Sequence, residues 1–194
     1  MTVRETDRNP TQDARGGILE AARREIIRAG WAAATSGHVA QLAGVSKALI
    51  HYHFHDKHML LTAVAAKCGE DIAERGAEEV VYSADENPVD EFGDWLEREI
   101  VAGDVQIAIQ LRTAPDRLVK HAADEALMAF RRELERRIDA VFTALELTPR
   151  IPPELVVDLF ARMIEGMAAV QMSSSAHRRR IAETLWLSML SIAE

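Results

Sequence analysis

HVAQLAGVSKALIHYHF, residues 38–54, decides the fold. Thr35 stands just upstream with a side-chain oxygen free to accept from a first-turn amide, so it is the N-cap of a short helix carrying Val39, Ala40 and Ala43 inward. Gly44 stops that helix. Ser46 caps the next, Lys47 to about His53, and Asp56 caps another that begins at Lys57 and extends to about Val81. Two short helices joined by a tight glycine turn are the sequence form of a helix-turn-helix.

Working outward, apolar residues recur at helical spacing almost everywhere. Upstream, Ile18, Leu19, Ala22, Ile26 and Ile27 line one face of a helix from about Thr11 to Ala29, with Gly30 as its stop. Downstream, SADENP (83–88) reads as a linker, and Val89, Phe92, Leu96 and Ile100 define a fifth helix, interrupted at Ala102-Gly103-Asp104. A short apolar segment runs to Leu111, and Pro115 suits the start of a long helix reaching about Leu147. TPRIPP (148–153) breaks the chain, and SSS (173–175) separates two final helices. No alternating Val/Ile/Thr run or Asn-Gly hairpin is present. The fold class is all-α with about nine helices: an N-terminal three-helix unit over residues 1–60 and a larger helical unit over 61–194.

The 194 residues are 48% apolar, enough for a packed core without staples. One cysteine, Cys68, cannot form an internal disulfide, which suits a reducing compartment. The polar N-terminus has no apolar h-region, and no uncharged run approaches the ~18 residues of a membrane span, so a cytoplasmic protein without membrane contact is expected. The net charge of −8 argues against nucleic acid until it is divided. Residues 1–60 carry 8 basic and 6 acidic side chains, a balance of +2, and the rest is at −10. This asymmetry points to different partners for the two units.

The ordered set Ala21-Ala22, Gly30-Trp31, Thr35, Val39-Ala40, Ala43-Gly44-Val45-Ser46, Tyr52-His53-Phe54 and Lys57, followed by Leu60-Leu61, resembles the DNA-binding domain of the tetracycline-repressor (TetR) family. The resemblance covers about residues 14–64. It implies a homodimer that binds double-stranded operator DNA through its N-terminal helices. It also implies an unknown small-molecule effector enclosed by the C-terminal helices, and a dimer interface built by the last two helices. Repression with release by the effector is the mode implied. The sequence departs from the family pattern at Gly37, Ala48 and His51, all on the reading surface.

HYHFHDKH, residues 51–58, holds four histidines in eight positions and invites a metal reading. His51 and His55 would share a face only if the third helix persisted past Phe54. No cysteine is nearby, and the nearest carboxylate is Asp56. The DNA reading asks less. Lys47 can donate to guanine O6 or N7, His51 can donate to or accept from a base, and Ala48 and Leu49 can meet a thymine methyl. Tyr52, His53 and Lys57 would lie near the phosphates, as would Thr35, Ser36 and His38 around the second helix. His55 and His58 read as solvated. Phosphate proximity favours imidazolium, so operator affinity is expected to rise between about pH 7.5 and 6.

In the larger unit, Trp95, Met128, Phe130, Phe142, Phe160, Met163 and Met167 are the candidate effector pocket, with Glu99, Asp158 and Glu165 as polar anchors for a cationic ligand. Phe160, Met163, Met167, Ile181, Leu185, Trp186 and Met189 are candidate dimer-interface residues. There is no P-loop, no dinucleotide glycine pattern and no zincin motif, so no enzyme, cofactor or resident metal is expected. Two alternatives remain at this level: a metal-sensing regulator that uses the His51–His58 cluster, and a helical protein-interaction module.

Overall fold

The computed structural model describes residues 10–77 and 87–169, together with 176, 180, 181, 183, 184, 186 and 187. Among these it contains eight bounded helices and no strand: α1 (Pro10–Ala29), α2 (Ser36–Ala43), α3 (Lys47–Phe54), α4 (Lys57–Gly76), α5 (Pro88–Ala102), α6 (Asp104–Arg112), α7 (Arg117–Ala144) and α8 (Pro153–Ala169). The seven described positions after residue 175 are helical as well.

The cap residues act as their chemistry requires. Thr35 Oγ1 accepts from His38 N, Ser46 Oγ from Leu49 N, and Asp56 Oδ1 from Met59 N. Gly44 ends α2 in the left-handed region at φ 67°, where its own amide and that of Val45 close back onto α2. Elsewhere the boundaries move. Pro88 is the first residue of α5, and Asn87 caps it through Oδ1, so only the end of the expected linker is described and it belongs to a helix start. Pro115 stands before the α7 cap, which is Asp116, whose Oδ1 accepts from Leu118 N and Val119 N. α7 ends at Ala144, short of Leu147, and α4 ends at Gly76 rather than near Val81. Residues 78–86 lie outside the described region.

α1, α2 and α3 close around Ile18, Ala22, Ile26, Val39, Ile50 and Phe54, all buried. Fully burying such a side chain stabilises by about 1.5–3 kcal/mol. α4 leaves this group and packs along α7, the most extensive pairing among the described helices. That approach needs a small residue. A Cβ placed on Gly69 would sit 3.2 Å from Ala126 Cα, so the two backbones close to a distance that only glycine permits without a shift. α6 lies against α4 and α7 and also reaches α1 and α8.

Candidate nucleic-acid interface

Four of the residues expected to contact DNA form one exposed face of α3. Lys47, Ala48, His51 and Tyr52 follow at i, i+1, i+4 and i+5, while Ile50 and Phe54 point into the core. Tyr52 is 70% exposed. Leu49 sits half-buried on the flank of this face. Exposed Thr35 and half-buried Ser36 start α2, where backbone amides without helical partners and the helix dipole suit an anion.

Three expected contacts are drawn elsewhere. His38 turns back onto α1, its Nε2 3.3 Å from Glu25 Oε1. Glu25 is buried and needs donors. Arg28 supplies two hydrogen bonds, and these, with the charges of Arg28 and His38, hold its carboxyl below the ordinary range. Lys57 donates from Nζ to Ala32 O at 2.8 Å and lies over the Trp31 ring, 5.3 Å from its centroid. Ala32 is in the turn after α1, and burial lowers the pKa of Lys57. His53 is half-buried between Tyr52 and Phe54, and its Nε2 is sealed from solvent without a partner. His38 and Lys57 are thus bonded within the fold, and His53 is half-buried.

The remaining histidines divide. His51 Nδ1 lies 2.6 Å from His55 O. His58, expected to be solvated, brings Nδ1 to 3.1 Å from Asp116 Oδ2 and so ties the start of α4 to the cap of α7. Among the described residues, no three His, Cys, Asp or Glu side chains converge as metal donors.

Sequence reading missed the contacts that seat this unit on the rest of the chain. Trp31 Nε1 donates to Thr113 Oγ1 at 3.0 Å. Asp104, at the first position of α6 and 0% exposed, lies 2.5 Å from Arg23 of α1 and 2.8 Å from Arg75 of α4. Arg75 also forms a two-point pair with Glu99 of α5, and Arg23 reaches Asp71 of α4. Cys68 is buried beside this group, and burial pushes its thiol up, so it is inert. An acidic residue following Gly103 could signal a helix start but not which distant arginines it meets.

A family model described as "Bacterial regulatory proteins, tetR family" matches residues 18–64, from within α1 into α4. The HTH-type transcriptional repressor AcnR of Corynebacterium efficiens is 33% identical over 133 residues, covering 66% of this chain and 67% of that protein. The chain belongs to the TetR family. AcnR of Corynebacterium glutamicum is 28% identical over 191 residues, 95% of this chain and 94% of the relative. Among solved structures, the TetR-like fold recurs in the transcriptional regulator FadR from Bacillus subtilis in complex with stearoyl-CoA. The TM-score is 0.68 at 15% identity, over 88% of this chain and 96% of that one. The protein is thus a DNA-binding transcriptional regulator, in a family of regulators rather than enzymes. No described helix is long and apolar enough to cross a membrane.

The TetR-family C-terminal helices hold a dense aromatic cluster. Trp95 stacks on Phe130 at 5.9 Å, with the Arg137 guanidinium 4.9 Å from the Trp95 centroid. Trp186 contacts Phe92, Phe142 and Phe160 at 5.0–6.0 Å. Trp95, Phe130, Phe142 and Phe160, all expected at a pocket, therefore pack on one another or on their neighbours as core. Met167 is buried and Met163 half-buried. Met128 is half-exposed and lines a groove of about 300 Å³ with Arg131, Arg132, Glu135, Glu154 and Val157. The three expected anchors are already neutralised: Glu99 by Arg75, Asp158 by Arg131, Glu165 by Arg112.

The expected dimer residues differ in their exposure within the single chain. Phe160, Met167 and Trp186 are buried inside the single chain and have no surface left to give a partner. Met163 and Ile181 are half-buried, and Leu185 and Met189 lie outside the described residues. Outward-facing apolar side chains do exist on these helices: Leu155 and Leu159 one turn apart on α8, and Leu187.

Proposed function

We propose that this TetR-family protein is a cytoplasmic repressor that binds a palindromic operator as a homodimer and is released by a small-molecule effector. The observation that carries the reading is the exposed face of α3, where Lys47, Ala48, His51 and Tyr52 stand clear of the fold. Residues 1–60 form the DNA-binding unit and 61–194 the effector and dimerisation unit, with α4 running from one into the other. The AcnR relatives are named repressors, which supports the sign of regulation. FadR, described in complex with stearoyl-CoA, supports a ligand for the C-terminal helices without saying which.

Dimerisation uses the outward leucines, Leu155, Leu159 and Leu187, in place of the buried aromatics. The mechanism is linkage. An effector that binds one arrangement of α4 better than the other changes the separation of the two α3 helices, and only one separation fits half-sites about 34 Å apart. The test is selection of bound sites from random DNA with the purified protein in EDTA, alongside light scattering at micromolar concentration. A recovered palindrome and a dimeric mass are expected. No enrichment, or a monomer, rejects the reading.

A further inference from the structure

α3 does not end in an ordinary helix cap. His55 has φ 62° and ψ −56°, a conformation that a residue with a Cβ rarely adopts. Asp56 N donates to Phe54 O at 2.6 Å across it, which makes residues 54–56 a γ-turn of the strained, positive-φ kind. Such strain persists where the surroundings enforce it, and it is concentrated at functional positions. Here the reversal aims the His55 carbonyl back along α3, onto the His51 ring at 2.6 Å from Nδ1. His55 N meanwhile donates to His51 O at 2.9 Å, so the two residues are joined at both ends.

A carbonyl oxygen only accepts. The nitrogen facing it must therefore carry the proton, and in a neutral imidazole the other nitrogen then holds a lone pair. His51 is exposed, one helical turn beyond Lys47 on the reading face, and among the described residues its Nε2 has no partner. We propose that His51 is a specificity-determining hydrogen-bond acceptor. The His55 carbonyl fixes its tautomer, so that Nε2 selects an amino base, adenine or cytosine, in the major groove. Adenine N6 and cytosine N4 are donors, whereas guanine O6 and thymine O4 occupy the corresponding places as acceptors. A neutral, Nδ1-protonated His51 thus meets a bond at A or C and a lone-pair clash at G or T. The choice is opposite to that of Lys47, which has donors only.

This inference rests on α3 being the helix that enters the groove, and two measurements separate its failure from the failure of that reading. The first needs no DNA. A long-range proton–nitrogen correlation spectrum of the full-length protein at pH 8, above the range where imidazole ordinarily charges, should show His51 protonated at Nδ1, the minor form of free histidine. A dominant Nε2-protonated form overturns the proposal. The second uses the operator recovered by selection at pH 8. Each base pair is changed by transition, which swaps the amino and keto groups between the two bases on its major-groove edge. One A-to-G or C-to-T change per half-site should weaken the native protein about tenfold, the scale of a single mismatch. His51→Ala should become indifferent at that position alone, and His51→Lys should prefer the keto base. Unaltered preferences in both variants, with the operator still bound, overturn the role of His51 and leave the DNA reading standing. Failure to recover any operator removes both.

Discussion

Two sets of polar side chains govern this molecule and differ in where their partners sit. On α3, Lys47, His51 and Tyr52 stand in solvent within six residues of one another, and the contacts that fix His51 come from residues 54–56. At the start of α6, Asp104 is sealed, and its partners, Arg23 and Arg75, come from 81 and 29 residues upstream. The first set can change with little effect on folding, because water replaces what is lost. The second cannot, because a charge left alone in the interior has nothing to replace its partner. The same amino-acid types therefore act as a removable instrument in one place and as a structural joint in the other.

The largest effect should come from the joint. Asp104→Ala takes the buried carboxylate away from two half-buried arginines, Arg23 and Arg75, and removal of one partner of a buried ionic group costs about 3–5 kcal/mol. Urea unfolding should show the unfolding free energy extrapolated to water falling by that amount. A loss below about 1 kcal/mol would mean that Asp71 and Glu99 carry the arginines unaided, and the contrast between the two regions would collapse. Lys47→Ala should do the reverse. It should leave stability within about 0.5 kcal/mol of the native protein while weakening operator binding by about 1–3 kcal/mol and relaxing the base preference at its contact. Fluorescence anisotropy on a native and a substituted operator separates those two parts. A Lys47→Ala protein that unfolds easily would place Lys47 in the fold.

Between these extremes lies the γ-turn. His55→Gly removes the Cβ penalty at φ 62° and should raise stability by about 1 kcal/mol, visible as a higher Tm. His55→Val should lower it, since a β-branched residue fits that region worst. If glycine gives no gain, the contact between His55 Nδ1 and His51 O, 3.4 Å in length, offsets the backbone strain.

The caps and apolar spacings that define α1 to α3 are local, so the helix-turn-helix and the exposed face of α3 were legible in the sequence. Thr35, Ser46 and Asp56 each bond an amide three residues on. What the sequence hid was commitment across distance. Lys57 looked like a phosphate ligand until Ala32 O and the Trp31 ring claimed it from 25 and 26 residues upstream. His38 was claimed by Glu25, and His58 by Asp116. In the larger unit, the aromatic residues were legible as apolar but not as mutually satisfied. Spacing says which side of a helix is buried, not whether a ligand, a partner copy or Trp186 does the burying.

The smallest predicted effect tests a titratable polar link between the start of α4 and the cap of α7. Asp116 accepts from Val119 N and Leu118 N and faces His58, and these contacts, the Val119 amide foremost, depress its pKa. A carboxyl whose folded pKa lies below its unfolded value of about 3.9 stabilises the protein above that pH and loses the contribution as pH falls through the folded value. Asp116→Asn keeps a cap oxygen but discards the charge. The variant should melt slightly below the native protein at about pH 6, and the gap should close only as the pH falls below about 3.9 and through the lower folded value, because the native side chain then becomes neutral too. A gap that stays constant down to that pH would assign the cap to shape alone. His58 would then be a bystander at the start of α4, and the joint at Asp104 would be the polar link that holds the reading unit to the helices behind it.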